Sequence, residues 1–298
     1  MRLSHLLPLV GILLVGCTTV HAPGESLLPE EVLQRTASES QKLDSSQYLI
    51  TADFDMDSGN TWTAEGVVRM DGIIQHAGKQ VRFQTDVTAE ITDSTNGDST
   101  IDGTVEVVVM GKDEVYLNIH SLTSQPNSAL FQPDVIGKLA GTWWQLPSQD
   151  AAPQSTTVTP DPRLLQAQAS VITVIADKGI TEFNGKMSYH YVVELDKEKL
   201  FSYLEALKVE TDEVRASLKD TVAEGEIWID AETFYVQKVL WNISSLHTSA
   251  QATLDTSLTL TFRNQNAAPT IEPPVGAVQF TPAVLFALPP DALFNEER

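Results

Sequence analysis

The chain is poor in cysteine and histidine, short of basic residues, and has no apolar run long enough to cross a bilayer, which takes about 20 residues. One cysteine, Cys17, leaves no disulfide partner and no thiolate metal site. Six histidines, at 5, 21, 76, 120, 190 and 247, include no pair at metal-ligand helical spacing and no His-Glu-x-x-His. A Gly-x-Ser-x-Gly elbow and a phosphate-cradling Gly-rich loop are both missing. With 19 Lys and Arg against 40 Asp and Glu, the formal net charge is -21, which disfavours nucleic acid and lying flat on anionic lipid. Asp53-x-Asp55-x-Asp57 matches the start of a calcium loop, but Ser58 stands where the turn glycine belongs and Ala64 where the bidentate Glu belongs. Strand alternation explains those aspartates better. The expectation is a non-enzyme with no metal and no cofactor.

What is present begins at the N-terminus. Arg2 and His5 precede an apolar run from Leu6 to Leu14, the charged and apolar regions of an export signal. The run ends in Leu14-Val15-Gly16-Cys17, which resembles the lipobox of bacterial lipoproteins; the alternative is an ordinary export signal with a chance cysteine. The resemblance implies removal of residues 1–16 and acylation of Cys17. It also implies attachment to a cell membrane or outer membrane through that lipid, with the body outside the cytoplasm. Several acyl chains make such attachment stable, at roughly 0.8 kcal/mol per buried CH2. Residues 17–30 read as a tether.

Beyond the tether, Glu30 to Ser46 has a weak helical stripe through Val32, Leu33, Thr36, Ala37, Ser40 and Leu43. Tyr48 to Met56 then alternates as a strand with one buried face. Further strands are expected at Trp62–Met70, Val81–Ile91, Thr104–Met110 and Val115–Ile119, parted by turns at Asp71-Gly72, Ala77-Gly78, Asn96-Gly97 and Gly111-Lys112-Asp113. Such short connections make an antiparallel meander. A short helix fits Pro133 to Ala140 and a strand fits Gly141 to Pro147, while Ser148 to Pro162 reads as a long loop in preference to a hinge between halves. In the second half, Arg163 to Asp177 reads as an apolar helix stopped by Gly179, followed by a hairpin at Asn184-Gly185. Asp196 is a plausible N-cap for a helix over Lys197–Lys208, with a second short helix near Asp212–Lys219. Strands close the domain at Ala223–Ile229, Phe234–Ile243 and Ala252–Phe262. Ala64-Glu65-Gly66 with Asp71 is echoed by Ala223-Glu224-Gly225 with Asp230; a duplicated unit and shared strand-to-turn constraints both explain it. The Pro-rich tail from Ala267 reads as an extended segment that docks by Phe280, Leu285, Phe286 and Phe294.

The order helix, meander, Gly141-x-Trp143-Trp144, hairpin with Gly185-Lys186-x-x-Tyr189-His190-Tyr191, helix, and Gly225-Glu226-Ile227-Trp228-Ile229-Asp230 resembles the LolA/LolB/LppX-like superfamily of exported proteins. The resemblance implies an α+β fold, a curved antiparallel half-barrel with helices packed on its concave side and an apolar cavity between. Members carry lipids or lipoprotein acyl chains. It covers most of Glu31 to Phe262; the domain is taken as residues 31–266, leaving 267–298 as a C-terminal extension. Candidate cavity-lining residues are Phe54, Met56, Trp144, Leu165, Ile172, Ile175, Tyr191 and Trp228, each of which also suits a packed core. Two functions follow: a membrane-anchored lipoprotein that binds or transfers lipid, or a non-catalytic envelope scaffold with a filled core and a protein partner.

Overall fold

A computed structural model describes residues 27–59, 61–95, 97–111, 114–126, 137–147, 171–206, 212–248 and 252–281. Cys17, Leu165, the segment 148–162, and Leu285, Phe286 and Phe294 lie outside these residues.

Helix α1, Pro29–Ser40, starts where Pro29 pre-sets the first helical φ and the Glu31 carboxylate accepts the Leu28 N–H at 3.2 Å. It buries Val32, Leu33, Thr36 and Ser40 on one face, the stripe expected from spacing, and ends six residues earlier than expected. Strands β1 (Ser46–Asp57), β2 (Trp62–Gln75), β3 (Gln80–Asp93), β4 (Ser99–Val109) and β5 (Val115–Gln125) follow as an antiparallel meander. The expected turn at Asp71-Gly72 is not one: β2 runs through it. Gly72 is there because the Tyr48 ring lies on it; a Cβ at that position would stand 2.4 Å from the ring. Only residues 137–139 of the expected helix before Gly141 are described and helical, and the strand after it shrinks to β6, Trp144–Gln145.

The second half needs a larger correction. Ile172, Val174 and Ile175, expected on a helix, lie on strand β7, Ile172–Phe183. All four residues from Ile172 to Ile175 are β-branched, and such side chains sit more easily on a pleat than against a preceding helical turn. Gly179 does not stop a helix; it sits in a bulge of β7, its N–H held at 2.7 Å by the Asp177 carboxylate. The hairpin turns at Asn184-Gly185 with φ of 50° and 77°, as the residue pair demands, into β8, Lys186–Leu195. Asp196 accepts the Lys199 N–H at 3.0 Å and so caps α2, Lys197–Ala206. That bond, aided by the Lys199 ammonium, holds the Asp196 carboxyl below the usual range. Helix α3 (Asp212–Ser217) and strands β9 (Val222–Asp230), β10 (Val236–His247), β11 (Thr253–Arg263) and β12 (Val278–Gln279) complete the described elements.

The strands form one open, curved twelve-stranded sheet in the order β12-β6-β5-β4-β3-β2-β1-β11-β10-β9-β8-β7. Among the described strands the pairings are antiparallel except β12 on β6, and an isolated bridge from Ile119 to Ala140 is also parallel, so the sheet is mixed. Val32 and Leu33 of α1 join Tyr48, Ile74, Tyr191, Ile229, Val236 and Phe262 in the main core. The tail is strapped to the other side. Gln75 donates its amide to the Pro269 carbonyl and accepts the Ile271 N–H, both at 2.9 Å, and Ile271 is buried against Val108 and Tyr116. Phe280 then meets the Trp144 ring edge-on.

Candidate functional site

Because side chains alternate along a strand, the register decides which residues share a face. One row crosses ten adjacent strands: Leu122, Gly103, Val87, Val68, Ala52, Leu258, Trp241, Gly225, Val193 and Val174, and not one of them is polar. On one side of it lies Ile50, Leu260, Val239, Ile227 and Tyr191, leading to the core beneath α1. On the other side lies Ile101, Ala89, Gly66, Phe54, Thr256, Ile243 and Ala223. This apolar face is dry at the α1 end, where Tyr48 and Ile229 are fully buried. Its middle is not: Ala52, Val68, Val87, Trp241 and Leu258 all remain partly exposed, as do Phe54, Met56 and Ile243. Two aromatic rings lie low on it. Phe54 and Trp241 each face a glycine directly across the ladder, Gly66 and Gly225, and a Cβ on either glycine would come within 2.8 Å of the ring. This is also what the echoed Ala-Glu-Gly pair does: each glycine makes room for a neighbour's ring.

The structure brings Phe54 and Met56 together on this partly exposed region. Tyr191 and Ile172 share the face but are buried in the packed core, and Ile175 stands exposed on β7. The Tyr191 and Tyr48 hydroxyls are buried, which pushes both phenols well above their ordinary pKa, with Asp177 and Asp71 respectively adding to the effect. Trp144 lies near the sheet edge, buried, its indole N–H donated to the Leu139 carbonyl at 2.8 Å. Trp228 is on the opposite face, because its neighbours Ile227 and Ile229 point into the core. There it stacks on His190 at 4.3 Å, with the Lys238 ammonium 4.6 Å from its ring centre and the His190 imidazole bonded to Glu226. Trp241, Leu258, Val68 and Ile243 were not singled out from sequence, although their strands alternate clearly enough to have found them.

Away from the strapped tail, the opposite face is polar and largely acidic across β3, β2, β1, β11 and β10. Asp53, Asp55, Glu65, Glu90 and Asp255 border a trough of about 650 Å³ that crosses β3, β2, β1, β11 and β10. Its lining takes in both flanking rows of outward residues, with the row Phe54, Gly66, Ala89, Thr256 and Ile243 running between them, and none of Ala52, Met56, Val68 or Leu258, which places it on this face. The three aspartates that mimic a calcium loop are therefore successive outward residues of β1. Among the described residues, no group of three or more His, Cys, Asp or Glu is placed to hold a metal ion. No helix among them is long and apolar enough to cross a membrane.

No protein-family model matches the chain, and no curated protein matches its sequence. Among solved structures the chain is similar to the lipoprotein LppX of Mycobacterium tuberculosis, with 9% identity and a TM-score of 0.38 over 82% of this chain and 97% of that one. It is also similar to a β-barrel-like protein of a domain of unknown function from Brucella abortus, at 6% identity and a TM-score of 0.29 over 74% and 99%. A LolA-superfamily protein from Nitrosomonas europaea aligns at 8% identity and a TM-score of 0.20 over 83% and 96%.

Proposed function

We propose that this chain is a membrane-anchored extracytoplasmic lipoprotein that holds lipid acyl chains against the apolar face of its sheet, without catalysing a reaction. In this reading the apolar face is the concave side of a half-barrel, α1 fills one end of it, and acyl chains occupy the rest. Cys17 carries the anchoring lipid. One observation carries the reading: the row from Leu122 to Val174 crosses ten strands without a polar side chain, yet its middle stays partly exposed. A folded protein ordinarily buries so broad an apolar strip, and each Å² of it removed from water contributes about 25 cal/mol. The dry packing beneath α1 favours a second reading, an envelope scaffold that binds a protein partner, for that end of the sheet alone.

The test is native mass spectrometry with organic extraction on protein purified without detergent. Acyl-bearing lipid is expected at about one equivalent or more, and Leu258→Glu is expected to lower its retention at least tenfold. Leu258 is partly exposed and remote from Tyr48 and Ile229, so the variant should melt within a few degrees of the parent. A bare-chain mass for the parent, with no uptake of added phospholipid, would abandon the carrier reading in favour of the scaffold.

A further inference from the structure

Among the described residues eight large apolar side chains are exposed: Val67, Ile175, Val222, Val275 and Val278 are spread over the sheet and tail, while the other three share one end. Leu28, Ile180 and Met187 are 63%, 48% and 55% exposed, and all three lie where α1 begins and the β7–β8 hairpin ends. Several contacts place them at one end. Ile180 is opposite Tyr189 in the β7–β8 ladder, and Met187 is two residues before it. The Met187 carbonyl accepts the Ala231 N–H at 2.9 Å, and Phe234, at the end of that turn, stacks on Tyr189 with the Arg35 guanidinium of α1 5.3 Å from its ring centre. Glu30, in the first turn of α1, and Asp177, on β7, both lie close enough to the Tyr191 phenol to act on its ionisation. Helix α1 therefore enters the fold over the β7–β8 edge.

That edge is also where the chain arrives from Cys17. The eleven residues from Cys17 to Leu27 can span at most about 40 Å even when fully extended. A body of about 250 residues has a radius of gyration near 18 Å, so this leash cannot reach round to the far side with slack. The charge at this end is mixed, with Lys178 and Lys186 among Asp177, Glu182 and the Glu30 and Glu31 of the first turn of α1, and Lys186 tied to Asp230, so the surface it fits is a neutral bilayer and not an anionic one. We propose that the end bearing Leu28, Ile180 and Met187 seats on the bilayer surface to which Cys17 is tied, its exposed apolar side chains entering the interfacial layer. This rests on the lipid-anchor reading of Cys17. Seated so, the partly exposed apolar face rises from the membrane beginning at its α1 end, and the end carrying α2 and α3 points away.

The test uses the full-length, acylated protein in phosphatidylcholine vesicles. With Cys17 acylated, an introduced cysteine is the sole free thiol, so Ile180→Cys, Met187→Cys and, as the control, Val222→Cys each take one environment-sensitive fluorophore. Val222 is 54% exposed but lies at the opposite end of β9 from Asp230, the partner of Ser188 beside Met187. Probes at 180 and 187 are expected to shift to the blue and to be quenched by brominated phosphatidylcholine at least twofold more than the probe at 222. Equal emission and equal quenching at all three sites, with the protein floating with the vesicles, would overturn the proposal and leave the anchor reading intact. A blue shift at 180 and 187 without bromolipid quenching would overturn it in favour of a protein occupant such as a second copy. Protein that does not float with the vesicles would overturn the anchor reading, and the proposal with it.

Discussion

Asp230→Ala is expected to destabilise the protein by about 3 kcal/mol, measured by urea unfolding at pH 7. Asp230 ends β9 and is buried, and its carboxylate gathers four donors: the Lys186 ammonium, the Gln237 amide, and the backbone N–H groups of Glu232 and Thr233, each at 2.9 Å. Burial alone would raise its pKa; Lys186, the two N–H groups and Gln237 outweigh burial and hold the pKa down at about 2 against an ordinary 3.8. Removing the carboxylate leaves Gln237 and two turn N–H groups unsatisfied, while Lys186, half-exposed, can turn to water. That escape keeps the loss at the low end of the 3–5 kcal/mol range typical of a broken buried pair.

The same group fixes a pH dependence. Its pKa is lower folded than unfolded, so its ionic contribution is fully present above pH 3.8 and disappears as the pH falls through about 2. A displacement of this size corresponds to about 2 kcal/mol. Asp230→Asn should therefore unfold more easily than the parent at pH 7, and the gap should narrow between pH 4 and pH 2. A gap unchanged over that interval would mean that neutral hydrogen bonding, not charge, holds the turn.

Gly72→Val is the second large effect, expected to cost about 3 kcal/mol or to prevent folding. A Cβ there would sit 2.4 Å from Tyr48 Cζ and 2.8 Å from the Arg82 carbonyl oxygen. Tyr48 is fully buried and cannot swing away, and the carbonyl belongs to the neighbouring strand. Pairing the change with Tyr48→Ala should recover part of the loss, because the added side chain then occupies space that the ring has vacated. A double variant no more stable than the sum of the two single changes would show that the strand carbonyl, not the ring, is the obstacle.

These two residues mark how far the sequence could be read. Local chemistry was legible: β1 alternates cleanly, Asn184-Gly185 makes its hairpin, and Asp196 caps its helix. Gly72 was read as a turn because glycine beside aspartate usually is one; its real reason, a ring on the next strand, is invisible without the register. Ile172 to Ile175 suits both helical and strand spacings, and its β-branching decides for strand, whereas Val171 just before it is helical. Trp228 was chosen by residue type, although its place between Ile227 and Ile229 already put it on the other face. The ten-strand apolar row was beyond reach, because it exists only once β1 lies beside β11, and no local pattern brings those two strands together.

That seam also has a temporal meaning. Thr256 gives its hydroxyl proton to the carbonyl of Asp53, a bond across 203 positions of chain, in the middle of the sheet. A ribosome delivers β1 to β5 long before β11, so the first meander must wait with the bare edge of β1 unsatisfied. Contacts this distant are slow to close, since the intervening loop must give up its freedom before any pairing rewards it. The waiting edge is an inviting template for the wrong strand. Shortened chains that stop before Thr253 should accordingly aggregate rather than survive as a half-sized domain, even though they retain every residue of the first five strands.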